Sequence, residues 1–456
     1  MKLEELARLR VAVLGCGREG SSLVRLMTRR YPDCQITAFD EQPVAAPADG
    51  VALRIGSLAP SAAEFDVAIR SAGVPVTHPG LDAFRRDGGR VIGVTSLWFA
   101  ERPDARVIAV TGSKGKSTTA SLIAHLLNAC GRPTILAGNI GISVIDHIDS
   151  QADWWVLELS SYQLADLEGK PEIGVITRLF PEHLDWHGDL ESYYGAKLRL
   201  ANLLGDRPLL INAADPVLER ATAGLGSRVE VNVDDGWRRQ GDELWCGQER
   251  VLAAGQSPLL GRHNLDNLCL ALAACEQAGL SWREAAGQVA GFRPLAHRLE
   301  PIVDHVADQI VDQTADQTAD QDGLRWINDS IATAPHAVRA ALEALAPAPV
   351  VLIAGGQARP ADWSPVLSWC ARHPLAGLVV LPDNGDEIAA AFAGAGLMPV
   401  EAIVRVADLE AAVEAARQLA RPGQTILLSP GAPSFPHFRD FEQRGNRFRE
   451  QVKGLQ

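Results

Sequence analysis

A glycine-containing segment at residues 110–118 has the residue types and spacing that bind phosphate. It reads Val-Thr-Gly-Ser-Lys-Gly-Lys-Ser-Thr, follows an apolar β-branched run at 107–110 and precedes a segment with helical apolar spacing at 120–129. Between a strand and a helix, such glycines let successive backbone N–H groups and the positive end of the helix face one anion. The strict pattern Gly-x-x-x-x-Gly-Lys-Ser/Thr is not met, because Val110 occupies its first glycine position. The surroundings nevertheless predict that this segment binds a nucleotide.

Three side chains of this segment would act on the nucleotide. Lys116 is placed to reach the β- and γ-phosphates, and the hydroxyl of Ser117 or Thr118 to contact Mg²⁺. A Gly-Lys-Ser sequence alone would be weak support, since any glycine turn before a helix can contain it. The strand before it and the helix after it give the prediction its weight.

A second glycine pattern, Gly-x-Gly-x-x-Gly at residues 15–20, follows a short apolar strand predicted at 10–14. A helical segment at 22–29 comes next, and a second predicted strand at 35–39 ends at Asp40. A glycine turn followed about twenty residues later by an acid is the fingerprint of a dinucleotide-binding unit. The same glycines would also make a tight strand–helix turn that binds another ligand or none, and this alternative stays open.

A strand predicted at 66–70 ends in the small residues Ser71, Ala72 and Gly73. Ligands of parallel α/β sheets bind outside the carboxyl ends of the strands. The loop at 71–73 and the glycine loop at 15–20 are therefore expected to share one site, within a small Rossmann-like domain.

Alternating strands and helices continue along the chain and group into two further α/β regions. The central region, from about 105 to 297, has a more polar stretch at 225–258 that indicates a sheet appendage, and an amphipathic helix is predicted at 268–277. The third region begins at 325–330. Further strands are predicted at 154–159, 175–177, 208–211, 350–353, 377–381, 403–406 and 425–428.

The sequence therefore predicts an α/β protein of three domains. They are a Rossmann-like domain at 1–102, a central phosphate-loop ATPase-like domain at 103–300 and a C-terminal Rossmann-like domain at 301–456. The length of 456 residues exceeds what one hydrophobic core usually supports, which agrees with several domains.

The composition is that of an ordinary globular protein, and its net charge favours small ligands over nucleic acid. Apolar residues make up 47% and charged residues 22% of the chain, and the formal net charge of −13 argues against a nucleic-acid partner. Seven dispersed cysteines without a Cys-x-x-Cys pair are typical of reduced thiols. The sequence has no apolar run of about 18 residues and no secretion signal at its start. We expect a cytoplasmic protein that has no membrane partner.

A four-residue unit, x-Asp-Gln-x, occurs four times in succession at residues 307–322. The stretch is acidic and polar, and Ile310 and Val311 are its only large apolar residues. It could be a tail that binds a metal or a partner, or an expanded solvated hairpin loop. The composition favours the loop, so removing residues 311–320 is expected to change little.

Several further motifs resemble those of the Mur ligase family in order and spacing, over essentially the whole chain. The most specific are Glu158–Leu164, which reads Glu-Leu-Ser-Ser-Tyr-Gln-Leu, and Phe441–Gly445, which reads Phe-Glu-Gln-Arg-Gly. The other matching segments are Thr111–Thr119, Gly138–Gly141, Glu182–Asp185, Tyr194–Lys197, Gly261–Asn267, His297–Arg298 and Trp326–Ser330. Within the family, they resemble the members that add glutamate to UDP-N-acetylmuramoyl-L-alanine.

The resemblance implies an ATP-dependent ligase of peptidoglycan precursor synthesis. Such an enzyme activates the carboxylate of UDP-N-acetylmuramoyl-L-alanine as an acyl phosphate and transfers the acyl group to the amine of glutamate. Phosphoryl transfer requires positioning and charge neutralisation, which Lys116 and Mg²⁺ would supply. The expected cofactors are ATP and Mg²⁺, and the expected oligomeric state is a monomer.

The resemblance also assigns residues to each ligand. ATP would be held by Gly112, Ser113, Lys114, Gly115, Lys116, Ser117, Thr118, Asn267, Arg298 and Asp329. The UDP-sugar would be held by Gly15, Arg18, Ser71, Gly73 and Asn139, so the first fingerprint would bind a uridine diphosphate and not NAD. The incoming glutamate would contact Thr333, Arg359, Ser434 and Phe441. Metal contacts would come from Ser117, Glu158, His183 and Lys197, and the catalytic residues would be Lys116, His183 and Lys197.

Three of these residues also have plain structural interpretations. Glu158 could be a carboxylate at the start of a helix, His183 a histidine of a surface loop and Lys197 a solvated lysine of a helix. By resemblance, Lys197 would instead be carbamylated by CO₂. Carbamylation would turn this cation into an anion that bridges toward a second Mg²⁺.

The chain departs from the family pattern where the amino acid is expected to bind. The family's Asp-Ser-Lys-Ala-Thr-Asn reads Asp-Ser-Ile-Ala-Thr-Ala at 329–334, and the lysine after the Gly-Gly loop is Arg359. Near His183, Thr-Glu-Asp-His reads Phe-Pro-Glu-His, and an asparagine just before it is Arg178. Because an arginine fork is not a lysine point charge, these changes bear on the configuration of the amino acid. We favour L-glutamate, and a D-glutamate-specific ligase is the alternative.

Three other functions agree less well with the sequence. A folylpolyglutamate-synthase-like ligase shares the phosphate loop but is not expected to match the two most specific segments. A non-catalytic nucleotide-binding regulator should have lost Lys116, Glu158, His183 or Lys197, and all four are present. A dehydrogenase built on the first fingerprint leaves the segment at 110–118 without a role.

Overall fold

The structure of the protein is a computed structural model, and it describes residues 1–182, 184–225, 227–253, 255–302, 319–399 and 402–455. They form two compact units, one made of Met1–Ser257 with Asn264–Phe292 and the other of Pro258–His263 with Arg293–Gln456. Among the helices in these ranges, none is long and apolar enough to span a membrane.

The first sheet of the first unit has five parallel strands. They are β1 (Arg10–Leu14), β2 (Gln35–Asp40), β3 (Ala52–Ile55), β4 (Val67–Arg70) and β5 (Arg90–Gly93), with helices α1 (Leu3–Leu6), α2 (Arg18–Arg30), α3 (Pro79–Arg86) and α4 (Val94–Glu101). The spatial order is β3-β2-β1-β4-β5, so the chain reverses its direction of travel between β1 and β4. The carboxyl ends of two strands at such a reversal are where α/β sheets bind ligands.

The second sheet of this unit has six parallel strands. They are β6 (Val107–Thr111), β7 (Thr134–Gly138), β8 (Trp154–Glu158), β9 (Ile173–Ile176), β10 (Leu209–Asn212) and β11 (Arg228–Val231), in the spatial order β11-β10-β9-β6-β8-β7. Its helices are α5 (Lys116–Ala129), α6 (Ser161–Leu164), α7 (Leu184–His187), α8 (Leu190–Leu204), α9 (Pro216–Ala221), α10 (Arg262–Gln277) and α11 (Trp282–Ala286). All five residues of β6 are buried between its neighbours, so the predicted phosphate loop leaves the middle of the sheet.

A small antiparallel sheet of β12 (Trp237–Gln240), β13 (Glu243–Cys246) and β14 (Glu249–Leu252) follows β11. It confirms the sheet appendage predicted at 225–258. The first strand of that stretch, β11, belongs instead to the large sheet, where it pairs in parallel with β10.

Two helices of the first unit bring polar residues into its interior. In α8, Tyr193, Lys197, Leu200 and Leu204 are buried, at the spacing of one helix face. In α10, every residue from Asn264 to Cys275 is buried. The prediction of an amphipathic helix at 268–277 is therefore wrong, because the small and apolar residues of this helix are covered on all sides.

The second unit contains a six-stranded sheet with one antiparallel edge strand. Its strands are β15 (Glu300–Ile302), β16 (Arg325–Asn328), β17 (Val350–Gly356), β18 (Gly377–Asp383), β19 (Ile403–Arg405) and β20 (Thr425–Leu428), in the order β15-β16-β20-β17-β18-β19. Its helices are α12 (Pro335–Leu345), α13 (Ser364–Cys370), α14 (Gly385–Gly394), α15 (Leu409–Leu419) and α16 (Phe441–Gly454). Alternate residues of β17 belong to different hydrophobic cores, one containing residues of α12–α14 and the other residues of α15 and α16.

Three large sheets therefore follow one another along the chain, as expected for the predicted three-domain α/β fold. The domain boundaries at 102 and 300 stay a prediction.

The acidic repeat lies in the connection between the antiparallel strands β15 and β16, as a hairpin loop predicts. Residues 303–318 of this connection are outside the described residues. The last repeat unit, Ala319–Asp322, is not simply a solvated segment. The Asp320 carboxylate accepts hydrogen bonds from the backbone N–H groups of Asp322 and Leu324 at 2.9 Å and from the indole N–H of Trp326 at 2.7 Å. The expectation that residues 311–320 can be removed without effect is therefore wrong in including Asp320.

Replacing Asp320 by alanine is expected to lower the free energy of unfolding by about 1–3 kcal/mol, because the buried indole N–H of Trp326 loses its acceptor. Deleting residues 311–318, two complete repeat units, should change it by ~0.6 kcal/mol or less, since the entropy of loop closure depends on the logarithm of length. Urea-induced unfolding of both variants beside the wild type measures the difference. A deletion as destabilising as Asp320→Ala would show that the repeat makes stabilising contacts.

Candidate active site

Two glycines give the segment at 110–118 its shape. Gly112 and Gly115 both have positive φ angles, 140° and 90°, and Gly115 lies directly before the first residue of α5. A Cβ atom on Gly112 would overlap the Thr177 hydroxyl, and one on Gly115 would lie 2.5 Å from the side-chain oxygen of Asn267. The conformation and the lack of space together require glycine at these two positions.

The residues between these glycines are tied to the rest of the unit. The Ser113 N–H donates to the Arg178 carbonyl at 2.6 Å, and its hydroxyl donates to the Phe180 carbonyl at 2.8 Å. The Lys114 ammonium pairs with Glu182 at 2.7 Å. Ser113 therefore shapes the loop, and its predicted contact with ATP stays a prediction. The Lys116 ammonium, at the start of α5, donates to the Ser113 carbonyl at 3.0 Å.

Glu158 is a buried carboxylate beside this loop. It ends β8, where it pairs with Val110 of β6, and it is 1% exposed. One carboxylate oxygen accepts a hydrogen bond from the Asn139 amide at 3.0 Å, and the other has no hydrogen-bond partner in the part of the chain that the structure describes. A buried carboxylate oxygen that lacks a partner suits a cation, because oxygen is the ligand that Mg²⁺ prefers.

His183, the second predicted metal contact, lies outside the described residues. Within the described ranges, no group of three or more His, Cys, Asp and Glu residues could hold a metal ion. The metal assignment of His183, Glu158 and Ser117 stays a prediction.

Lys197 lies in the same part of the first unit. Its side chain is 2% exposed, its ammonium donates to the Gly112 carbonyl at 2.7 Å, and it lies 4.8 Å from the ring centre of Tyr193. Burial lowers the pKa of the Lys197 amine well below its usual value, and the charge of Lys116 lowers it further. Lys197 is therefore not a solvated helix lysine.

The two N-terminal loops expected to share a site lie side by side. The Ser71 hydroxyl donates to the Gly15 carbonyl at 3.0 Å, and the Gly73 carbonyl accepts a hydrogen bond from the Trp186 indole at 3.3 Å. The guanidinium of Arg18 lies beside Gly141, in the loop that also contains the exposed Asn139. The five predicted UDP-sugar residues are thus near the carboxyl ends of β1, β4 and β7. Their contact with a ligand stays a prediction.

Asp40 has a local role in this region. Its carboxylate accepts a hydrogen bond from the Cys16 N–H at 2.7 Å, and so stabilises the glycine loop itself. Which ligand the loop binds, a uridine diphosphate or a dinucleotide, stays a prediction.

The remaining residues predicted to bind ATP lie in both units. In the first, the Asn267 amide donates to Asn264 at 2.9 Å, within the buried helix α10. In the second, the Asp329 carboxylate accepts hydrogen bonds from the Leu299 N–H at 3.2 Å and the Ser429 hydroxyl at 2.9 Å, and burial raises its pKa to about 7. The buried Nε of Arg298 has no hydrogen-bond partner among the described residues.

The predicted glutamate residues are only partly brought together. Ser434 lines a cavity of about 710 Å³ at the carboxyl end of β17, with Gly355, Gly356 and Arg444. Thr333 and Arg359 are exposed, and neither belongs to the described lining of this cavity. Phe441 starts α16 and accepts a hydrogen bond from the Ser330 hydroxyl through its carbonyl at 2.8 Å.

Arg444 is a residue to which sequence reasoning gave no role. It is 1% exposed and donates to the carbonyl of Ser330 at 2.9 Å and to the carbonyl of Ala432 at 3.1 Å. Burial lowers its pKa to about 10. It joins the loop after β16 to the loop after β20, and thus to the segment that contains Ser434. In the sequence, the feature that points to Arg444 is its position in the Phe-Glu-Gln-Arg-Gly motif.

A glycine loop after the central strand of a parallel sheet, a buried carboxylate and a buried lysine beside it, and a further Rossmann-like sheet are the features expected of an ATP-dependent ligase. The Mur ligase middle domain matches residues 110–275, and the Mur ligase, glutamate ligase domain matches residues 316–431. The chain is 40% identical to the UDP-N-acetylmuramoyl-L-alanine–L-glutamate ligase of a Micromonospora species, covering 99% of this chain and 98% of that protein. It belongs to the Mur ligase family of ATP-dependent amide ligases, as the motifs predict.

A second relative supports the family, and a solved structure shows the same fold. The chain is 37% identical to the ligase of the same name from Xanthomonas euvesicatoria pv. vesicatoria, over 98% of this chain and 96% of that protein. The crystal structure of UDP-N-acetylmuramate–alanine ligase from Thermotoga maritima has the same fold, with a TM-score of 0.61 at 17% identity, over 98% of this chain and 100% of that one.

Proposed function

We propose that the protein joins L-glutamate to UDP-N-acetylmuramoyl-L-alanine, at the expense of ATP, in the synthesis of peptidoglycan precursors. The observation that carries the proposal is the grouping of Lys116, Glu158 and Lys197 around one phosphate loop. A non-catalytic nucleotide-binding protein has no need of a buried lysine and a buried carboxylate at this place. The substrates are supported by the names of the relatives that align over nearly the whole chain.

The proposed reaction has two steps. The alanyl carboxylate attacks the γ-phosphorus of ATP, ADP leaves, and an acyl phosphate forms. The amine of glutamate then attacks the acyl carbon, loses a proton, and displaces inorganic phosphate to leave the amide. Lys116 stabilises the negative charge on the transferring phosphoryl group, and the backbone N–H groups of the glycine loop orient the nucleotide.

Mg²⁺ would be held by Ser117, Glu158 and His183, and it would neutralise phosphate charge. The buried oxygen of Glu158 that lacks a partner among the described residues supports this part of the proposal. Lys197 would carry a carbamate that contacts a second ion. Two properties of Lys197 support carbamylation, since its burial keeps bulk water away and its lowered pKa favours the neutral amine that adds CO₂.

The remaining assignments follow the family resemblance residue by residue. The donor's uridine diphosphate would bind at the loops of Gly15 and Ser71, and the acceptor amino acid at the second unit. We keep the monomer and the cytoplasm as proposals. The seven cysteines are all free, which supports a reducing compartment.

The proposed configuration rests on the positions where lysines are expected in D-glutamate-adding members. Ile331 cannot pair with a carboxylate, and Arg359 binds one through a two-pronged fork. The two enantiomers place the amine and the two carboxylates in mirror order around Cα. A pocket that directs the amine at the acyl phosphate can therefore satisfy both carboxylates of only one enantiomer. The L-glutamate in the names of the relatives supports the same choice.

We expect L-glutamate to be used at least about tenfold faster than D-glutamate, because a charged group left unpaired in a closed site costs about 1–3 kcal/mol or more. Initial rates of phosphate release with UDP-N-acetylmuramoyl-L-alanine and each enantiomer at equal concentration measure this ratio. L-Glutamine serves as the control acceptor that lacks the side-chain charge. A preference for D-glutamate would refute the proposed preference for the L enantiomer and leave the ligase assignment intact. Turnover of a folate donor in place of the UDP-sugar would favour the folylpolyglutamate alternative.

A further inference from the structure

Arg70, the last residue of β4, holds the loop in which Ser71 and Gly73 are predicted to bind the UDP-sugar. Its side chain is 1% exposed. One terminal nitrogen donates to the carbonyls of Ser71 and Ala72 at 3.2 Å and to that of Val74 at 2.8 Å. The loop at 71–74 is thus wrapped around a single guanidinium group, which fixes the direction of three of its four backbone carbonyls.

The same guanidinium joins this loop to the Glu-Leu-Ser-Ser-Tyr-Gln-Leu segment. Its other terminal nitrogen donates to the Tyr162 carbonyl at 2.9 Å, and its Nε donates to the Asp166 carboxylate at 2.8 Å. Asp166 also accepts from the terminal nitrogen, so the ion pair is two-pronged. The residues that follow Glu158 along the chain therefore contact the loop at 71–74 through Arg70.

A second connection runs parallel to the first. Glu19, in the first turn of α2, accepts a hydrogen bond from the Gln163 amide at 2.6 Å through one carboxylate oxygen and from the Ala72 N–H at 3.2 Å through the other. Gln163 is also held at the start of α6 by the Ser160 hydroxyl. Both N-terminal ligand loops are in this way tied to α6, a few residues after the metal-binding candidate Glu158.

We infer that Arg70 is a positioning residue for the acyl donor. It sets the loop at 71–74 against α6, and thereby fixes the distance between the UDP end of the donor and the phosphate loop that lies beside Glu158. The inference rests on the proposed function, since it assigns a donor to this loop. It also gives a role to Tyr162 and Asp166, which the chemistry itself does not use.

Only arginine can make this set of contacts. The planar guanidinium presents five N–H groups in a fixed geometry and can donate to both oxygens of a carboxylate at once. A lysine ammonium has only three N–H groups and cannot form this bidentate pair. Lysine in place of Arg70 would keep the charge opposite Asp166 but would lose most of the loop carbonyls. The loop would then be free to shift relative to α6 while the phosphate loop stays in place.

The test is Arg70→Lys, with Arg10→Lys as the matched control. Arg10 also makes a two-pronged pair, with Asp66, and also donates to a carbonyl, that of Ala63. Arg10 belongs to the same sheet as Arg70, but it lies at the amino end of β1, whereas Arg70 lies at the carboxyl end of β4. We expect Arg70→Lys to raise the KM for UDP-N-acetylmuramoyl-L-alanine about tenfold or more, with the KM for ATP changed less than about twofold. Arg10→Lys should change neither.

An unchanged donor KM in Arg70→Lys, or equal increases in the donor and ATP KM values, would overturn the inference and indicate a purely structural arginine. If Arg70→Lys does not fold, Asp166→Asn takes its place, because it keeps an acceptor for the guanidinium and removes one charge. It should give the same selective rise in donor KM at a smaller size, and a normal donor KM would count against the inference. Wild-type protein that does not turn over this donor would instead refute the proposed function.

Discussion

Replacing Lys116 by alanine is expected to lower kcat by about 10²–10³-fold, the usual cost of removing one well-placed electrostatic stabiliser of a transition state. Lys116 is the first residue of α5 and directly follows the left-handed turn at Gly115, so it lies beside the free backbone N–H groups of the helix N-terminus. The charge that is lost is the one that we propose neutralises the transferring phosphoryl group. Initial rates of phosphate release at saturating substrates measure the effect.

The fold should survive this change, because Lys116 is only partly buried and lies at the first position of α5, outside the hydrophobic core. Lys170→Ala is the control, since Lys170 is an exposed lysine of the same unit and should leave the rate unchanged. A correctly folded Lys116→Ala protein that works at a near wild-type rate would show that the phosphate loop has been wrongly assigned.

Replacing Lys197 by alanine is expected to abolish activity almost completely and to allow partial rescue by acetate or formate. In the proposed mechanism Lys197 works as an anion after carbamylation, so a small carboxylate can occupy the space that the side chain leaves. The measurement is the rate of the variant against increasing concentrations of acetate, formate and, for comparison, methylamine. Rescue by methylamine and not by carboxylates would mean that a cationic lysine is the working species.

Lys197→Arg is the matched variant for this experiment. It keeps a cation on the buried face of α8 but cannot add CO₂ at a primary amine, and it fills the space that a carboxylate would need. We expect it to be inactive and to show no rescue. An active Lys197→Arg protein would argue against a carbamate, because the charge that it restores has the opposite sign.

The elements around the phosphate loop could be predicted because the information is local. An apolar run, two glycines and a helical apolar pattern are contiguous in sequence, and each corresponds to an observed element, β6, the loop and α5. The same holds for the glycine loop after β1. The burial of Lys197 also corresponds to a local sequence pattern, because it shares the buried face of α8 with Tyr193, Leu200 and Leu204.

The features that could not be predicted depend on residues far apart in sequence. Arg70 and Asp166 are 96 positions apart, and Arg444 and Ser330 are 114 apart. Each pair forms only after separate sheets and loops have packed together. The periodicity of the sequence does not predict such long-range contacts. Asp320 was misjudged for a related reason, because composition describes a repeat as a whole and not the one member that accepts a buried indole N–H.

The environment of Val110 has a consequence for finding such proteins in genomes. Val110 is fully buried inside β6, paired with Glu158 on one side and Val175 on the other, so the site requires a strand-forming apolar residue. The first glycine that the loop needs comes two residues later, at Gly112. A search with the strict consensus Gly-x-x-x-x-Gly-Lys-Ser/Thr would pass over this chain, whereas a shorter one, Gly-x-x-Gly-Lys-Ser/Thr after a buried strand, would retrieve it.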